Sequence, residues 1–214
     1  MRQFFDNVYN MKDVLFSVQR IDPSTVGAQM KQAQLYPERK RRIAAMKRKE
    51  AIAASLLGDW IARKLASELT CREMDMLTVI EGEHKKPLLS GAEAEISIAH
   101  SGDYAAAPAA KRPVGIDLER VRPLPNTVLL RMCSPAELHW VNAHPEKSLY
   151  RFFRLWTMKE AFGKMLGIGI FSSRQFYARF VEDTLIELYP DCLFLFPEAP
   201  EGYMLSICVQ RSKA

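Results

Sequence analysis

The segment Val114-Gly115-Ile116-Asp117-Leu118-Glu119 alternates two kinds of residue without exception: Val114, Ile116 and Leu118 are apolar, whereas Gly115, Asp117 and Glu119 are not. Successive side chains of a strand point to opposite faces, so the segment predicts a strand with one face on a core and two carboxylates together on the other. Gly115 keeps the acidic face open, and the sequence reads this as room for close approach of a ligand. A second segment obeys a different period. Within Arg154-Leu155-Trp156-Thr157-Met158-Lys159-Glu160-Ala161-Phe162-Gly163-Lys164, the residues Trp156, Glu160 and Lys164 stand at i, i+4 and i+8 and share one side of a helix. Gly163 opens that same side.

Both patterns sit inside a chain that runs through helix and strands twice. A strand-like run, Val14 to Val18, precedes a long amphipathic helix expected from about Pro37 to Ser67, with Ile43, Met46, Ala53, Leu57, Ile61 and Leu65 at helical spacing. A turn-like region follows, Glu81 to Pro87, and then a strand from Glu95 to Gly102. The small-residue stretch Tyr104 to Ala110 contains Pro108, so as a strand it reads as an edge or a broken one. From Pro113 the pattern restarts with a strand, then helical segments around Ser134 to Asn142 and Leu149 to Leu166. Ser134-Pro135-Ala136-Glu137 supplies a helix start: capping serine, proline in the first turn, acid soon after. Strands are expected at Phe176 to Phe180, Leu185 to Tyr189 and Tyr203 to Val209. Each half therefore reads as a helix plus strands, with a seam near residues 108 to 113 and no strong internal repeat.

Bulk properties exclude several classes. The N-terminus shows no apolar run of signal-peptide length, and no stretch approaches the roughly 20 apolar residues that span a bilayer, so a soluble cytoplasmic protein is expected. Cys71, Cys133, Cys192 and Cys208 form no C-x-x-C pair, which leaves neither a zinc knuckle nor a redox motif. A formal charge of +5 favours anionic partners without choosing among nucleotides, nucleic acid and acidic proteins.

Taken one at a time, the candidate site residues each admit two readings. Acids at i and i+2 also occur at Glu73/Asp75, Glu81/Glu83 and Glu93/Glu95, so Asp117 and Glu119 are either a solvated strand face or ligands of a hard cation such as Mg²⁺. Glu160 is either an exposed helix acid paired with Lys164 or a third carboxylate of the same site. Trp156 and Phe152 also suit a core. His100 follows Ile96 and Ile98 on one strand face and is either packed or ligand-binding, the Ser101-Gly102 turn favouring the second. Arg39-Lys40-Arg41-Arg42 and Lys47-Arg48-Lys49 suit a solvated face, a nucleic-acid patch or a phosphate clamp. His139 and His144 lack the H-E-x-x-H glutamate, and Gly167-Ile168-Gly169 is too short for a dinucleotide fingerprint.

Together, G-I-D-L-E followed by W-T-M-K-E-A-F-G-K resembles the 4′-phosphopantetheinyl transferases, and within them the two-lobed, surfactin-synthetase-activating type. The resemblance extends from about Pro37 to Gly169. It implies an α+β fold, a pseudo-dimer of two similar lobes, each a helix packed on a small antiparallel sheet. Residues 1–112 would form the lobe with coenzyme A phosphate-binding residues, and 113–214 the lobe with the Mg²⁺-binding and catalytic residues. It further implies Asp117, Glu119 and Glu160 as Mg²⁺ ligands, Glu160 and Lys164 as catalytic residues, and Arg39, Arg42, Ser55, Lys86, His100, Lys159 and Lys164 around coenzyme A. Trp156 and Lys159 match the tryptophan and lysine of the helix motif, and Pro37 to Arg42 is similar to its P-E-K-R-E-K type of segment. The sequence departs from the pattern in three places: Ala99 stands where a serine often precedes the histidine, Lys85 replaces the usual glycine before Lys-Pro, and Ile168 replaces the lysine of a G-K-G step. Leu118, between the acids, fits the surfactin type. The implied reaction transfers phosphopantetheine from coenzyme A to an apo acyl or peptidyl carrier protein, by a monomer that needs neither nucleic acid nor membrane. The competing expectations are a basic nucleic-acid-binding protein and a family member without catalysis.

Overall fold

The computed structural model describes residues 13–25, 37–168, 176, 178–189 and 191–211, and combines helices with antiparallel sheets. In chain order the elements are β1 (Val14–Arg20), α1 (Pro37–Ala44), α2 (Lys49–Thr70), β2 (Thr78–Glu81), β3 (Pro87–Ser90), β4 (Glu95–Ile96), β5 (Ala99–Ser101), β6 (Tyr104–Ala110), β7 (Val114–Arg120), α3 (Asn126–Met132), α4 (Pro135–Asn142), α5 (Ser148–Leu166), β8 (Ala178–Val181), β9 (Thr184–Leu188), β10 (Cys192–Leu195) and β11 (Tyr203–Gln210). The α+β class expected from the sequence is the class observed.

Strand alternation sorts these elements into layers. One sheet has the order β1-β6-β4, with β5 also paired to β6; another has the order β10-β11-β7. On β6, Ala105, Ala107 and Ala109 pack with Leu57, Ile61 and Leu65 of α2, while Ala106 and Ala110 face the second sheet. There they meet Val114, Ile116 and Leu118 of β7 and Leu205, Ile207 and Val209 of β11. The opposite face of β11, through Met204 and Cys208, packs against Phe152, Leu155, Met158 and Phe162 of α5. The order through the molecule is thus helix, sheet, sheet, helix, with a shared apolar layer between the sheets. Burial on both faces explains why β6 reads as almost uninterrupted alanine rather than as a polar–apolar alternation.

Several expectations from the sequence change. The helix expected from Pro37 to Ser67 is two helices. Arg39 makes a bidentate ion pair with Asp59, 2.9 and 2.7 Å; along one continuous helix these residues would lie about 30 Å apart, so α1 must fold back on α2. Tyr104 to Ala110 is neither an edge nor a broken strand. Pro108 is paired in register with Phe16 of β1, and on its other side it falls between β4, which ends at Ile96 opposite Ala109, and β5, which begins at Ala99 opposite Ala106. The missing proline N–H is accommodated by a break in the neighbour, so the strand expected from Glu95 to Gly102 is the one that is interrupted. In the tail, Phe176 lies outside β8. The helix α3 and the strands β2, β3 and β10 have no counterpart in the sequence reading. In α4 the capping box is formed as expected, Ser134 Oγ accepting from Glu137 N and Glu137 Oε2 accepting from Ser134 N.

Helix α5 lies directly on β7 at Gly115. A Cβ built there would stand 1.9 Å from the carbonyl oxygen of Ala161 and 2.5 Å from the amide nitrogen of Met165. The close approach that Gly115 permits is therefore that of the helix backbone and not of a ligand, which corrects the reading of this glycine from sequence. Gly115→Ala should lower the free energy of unfolding by about 3 kcal/mol, because neither backbone atom can move without lifting the helix. Urea denaturation checks this; an unchanged midpoint would mean that the helix is not seated as described.

Candidate active site

Seating α5 on Gly115 determines which helix residues face the sheet. Thr157, Ala161 and Met165 form the contacting stripe: Thr157 Oγ1 and Ser206 Oγ are 2.7 Å apart, and Cys208 Sγ donates to Met165 Sδ at 3.5 Å. Glu160 and Lys164, each one position earlier, fall at the rim of that stripe beside the acidic face of β7. Lys164 Nζ donates to Asp117 Oδ1 at 2.6 Å. Asp117 is buried, and its Oδ2 has no hydrogen-bond partner among the described residues. Loss of water raises the Asp117 carboxyl to about 7, against the opposing pull of Lys164, with Glu119 and Glu160 adding to the rise. Burial likewise raises the Glu160 carboxyl, Lys164 opposing and Glu119 adding.

The first sheet contributes to the same place. Ser101, at the end of β5, donates from Oγ to Glu119 Oε2 at 2.8 Å and accepts from the Arg120 amide at 3.1 Å. Glu119 thus adds to the proton affinity of both Asp117 and Glu160, Glu160 adds to that of Asp117, and one Asp117 oxygen is buried without a partner among the described residues. All are hard oxygen donors, the chemistry that suits a divalent cation such as Mg²⁺. Among the described residues no three such side chains stand close enough together to hold an ion as they are placed. In this arrangement the Lys164 ammonium is the positive charge against Asp117.

Next to the carboxylates lies a cleft made of two adjoining cavities. One, of about 210 Å³, is lined by Arg39, Arg42, Ser55, Lys85, Ile98 and His100, among others. The second, of about 270 Å³, is lined by Lys85, Lys86, Ser97, Glu160, Gly163 and Lys164, among others. The first is cationic, but its guanidinium groups already have partners: Arg39 is held by buried Asp59, and Arg42 by Glu81. Burial raises the Asp59 carboxyl although Arg39 opposes it. His100 reaches solvent at the cleft, yet partial loss of water together with Lys164 and Arg39 holds its imidazole below the usual value. An uncharged imidazole beside arginines gains a proton when an anion enters. Lys86 Nζ donates to Glu95 Oε2 and to the Met165 carbonyl, both at 3.2 Å, joining the turn before β3 to β4 and to the end of α5.

The structure brings Arg39, Arg42, Ser55 and His100 into one cavity, and Lys86, Glu160 and Lys164 into the next, with Asp117 and Glu119 alongside. It does not bring Lys159 there. Lys159 Nζ is buried on another side of α5 and donates to the Met132 carbonyl and to Glu137 Oε2, each at 2.7 Å. Its expected place at coenzyme A is corrected accordingly: it ties α5 to α4 and to the end of α3. Trp156 packs edge-on to Phe152 with ring centres 5.5 Å apart, on the core around α5. Sequence reading missed Ser101, Asp59 and Glu81 as partners of site residues. Only Ser101 carried a signal, directly after His100 in a turn.

Residues 113–200 match the model of the 4′-phosphopantetheinyl transferase superfamily. Among curated proteins, the chain is 28% identical to the 4′-phosphopantetheinyl transferase psf-1 of Bacillus pumilus, covering 95% of this chain and 92% of the relative. It is 28% identical to the 4′-phosphopantetheinyl transferase Sfp of Bacillus subtilis over 80% of each. It is 26% identical to the 4′-phosphopantetheinyl transferase gsp of Aneurinibacillus migulanus over 72% of this chain and 67% of the relative.

The buried Lys159–Glu137 pair has a measurable consequence. Lys159→Met should cost about 3 kcal/mol of stability by leaving Glu137 without its cation, while the folded variant binds coenzyme A as the parent does. Chemical denaturation and calorimetric titration test the two halves; weakened ligand binding in a stably folded variant would return Lys159 to the site.

Proposed function

We propose that this chain, similar to the 4′-phosphopantetheinyl transferase superfamily over residues 113–200 and to its members along most of its length, moves 4′-phosphopantetheine from coenzyme A to a serine of an apo acyl or peptidyl carrier protein. The other product is adenosine 3′,5′-bisphosphate. The observation that carries this reading is the junction of a cavity lined by Arg39, Arg42, Ser55 and His100 with one bordered by Glu160 and Lys164, beside Asp117 and Glu119. A ligand with a phosphate at one end and a reacting pyrophosphate at the other needs that order of groups.

Residues 1–112 would then act as the lobe that holds the nucleotide and 113–214 as the lobe that does the chemistry, so one chain can work as a monomer. Asp117, Glu119 and Glu160 would hold Mg²⁺, which when bound supplies positive charge to pyrophosphate oxygens. The chain's own residues account for the remaining steps. Arg39, Arg42 and His100 bind the 3′-phosphate, with Ser55 in the cavity wall. Lys164, on a flexible stem, turns from Asp117 to the phosphate that leaves and offsets its growing charge. Glu160, whose proton affinity is raised by burial, takes the proton from the carrier serine as that oxygen bonds to the pantetheine-side phosphorus. The pyrophosphate P–O bond breaks, and its electron pair departs with the 5′-phosphate of the nucleotide.

No described helix is long and apolar enough to cross a membrane, and Cys71, Cys133, Cys192 and Cys208 are all free thiols. Our reading places the protein in the cytoplasm, where such thiols stay reduced. Within the basic run, Arg39 and Arg42 line the first cavity, which favours a small phosphate-bearing ligand over a nucleic-acid backbone.

Incubated with apo carrier protein, coenzyme A and Mg²⁺, the protein should add one phosphopantetheine to the carrier, and chelation with EDTA should stop it. Glu160→Gln should lower the transfer rate by at least about 100-fold while near-ultraviolet circular dichroism stays unchanged; full turnover by the folded variant would remove Glu160 from catalysis. Mg²⁺ affinity should also depend on pH. Asp117 binds a cation only after losing its proton, and its carboxyl is raised to about 7, so titration calorimetry should find binding weaker at pH 6 than at pH 8. The same affinity at both would argue against Asp117 as a ligand.

A further inference from the structure

We infer that Lys85 is a phosphate-binding residue that spans the two cavities of the cleft and contacts the anions at both ends of a doubly charged ligand. This rests on the coenzyme A reading above and adds to it a residue that the sequence pattern does not supply, since the pattern has glycine at this position.

The backbone at Lys85 is the first observation. His84 and Lys85 adopt φ of +50° and +64°, and the Lys86 amide closes the turn on the Glu83 carbonyl at 3.0 Å. Two successive residues at positive φ are the requirement of the turns in which Asn-Gly is favoured. Contact between Cβ and the backbone disfavours that region for every residue but glycine, and lysine lacks the short polar side chain by which asparagine offsets the cost. Glycine would fill position 85 without that cost. A residue that keeps a costly backbone conformation at the mouth of a ligand cleft is where strain and function coincide.

Position is the second observation. Of the residues lining the two cavities, Lys85, Pro87 and Ile98 are common to both, and Lys85 alone of these carries a charge. The third observation concerns its neighbours. Lys86 is bound to Glu95 and to the end of α5, Arg39 to Asp59, and Arg42 to Glu81. Lys85 is exposed, and among the described residues no carboxylate pairs with it. A cation free of internal partners moves onto an anion without first giving up a salt bridge. Its reach into both cavities suits coenzyme A, whose 3′-phosphate would lie in the first and whose pyrophosphate in the second.

Two variants test this by titration calorimetry against coenzyme A and dephospho-coenzyme A. Lys85→Gly keeps the turn and removes the side chain; Lys85→Met keeps a side chain and removes the charge. Both should weaken coenzyme A binding by roughly five- to tenfold, the strength of a charge-assisted contact, and dephospho-coenzyme A binding by clearly less. The loss should shrink as added salt screens the charge. The urea midpoint of Lys85→Gly should equal or exceed that of the parent. Unchanged coenzyme A affinity in Lys85→Met would overturn the proposal. So would equal losses for the two ligands, which would confine Lys85 to one cavity. A parent protein that binds neither ligand would instead defeat the coenzyme A reading itself.

Discussion

The contact between the backbone of α5 and Gly115 of β7 is the constraint on which the site depends. With hydrogen as the side chain, the helix comes down until Ala161 and Met165 touch the strand, and the acidic face of β7 is brought under the rim of the helix. Had any side chain occupied position 115, the helix would be held off, and Lys164 could not reach Asp117 at 2.6 Å. The Thr157–Ser206 hydroxyl contact, at 2.7 Å within the same stripe, fixes the rotation of the helix about its axis. Rotation decides which residues are at the rim, and so decides that Glu160 and not Lys159 faces the cleft.

Charge in the cleft is arranged before any ligand enters. Asp117 is buried with one oxygen on Lys164 and the other without a partner among the described residues, so its carboxylate is costly without a cation. The arginines of the first cavity are oriented by carboxylates, Asp59 from beneath and Glu81 from the rim. Such pairing holds long, flexible side chains near their working positions and lowers the entropy lost on binding. It also keeps neighbouring guanidinium groups from repelling one another in the free protein. Ser101 joins the two sheets at this point, since its hydroxyl belongs to β5 while the groups it binds, Glu119 and the Arg120 amide, belong to β7.

The shared apolar layer between the sheets gives these side chains a common frame. Ala106 and Ala110 of β6 meet Ile116, Leu118 and Ile207 with full burial. Close packing of this kind transmits small shifts, so His100 on the first sheet and Glu119 on the second hold a defined separation. The turn at His84 and Lys85, with its positive φ angles, borders the cleft.

Much of this was legible in the residues. The period-two alternation of Val114 to Glu119 and the spacing of Trp156, Glu160 and Lys164 are local properties, and they determined a strand with an acidic face and a helix with an acid and a base on one side. The capping signal at Ser134 to Glu137 was local as well, and it located the start of α4. What the helix meets, by contrast, depends on residues far apart in the chain. Gly115 reads alone as an opening for a ligand, and only α5 above it makes it a seat for a helix. Pro108 reads alone as a strand breaker, and only the interruption between β4 and β5 makes it tolerable in a central strand. Lys159 and Glu160 are adjacent, yet one is buried against Glu137 and the other borders the cleft, because packing on β7 and β11 selects the face. Sequence determined which side chains share a side; tertiary structure decided what each side faces, since facing is set by long-range contacts that no local period encodes.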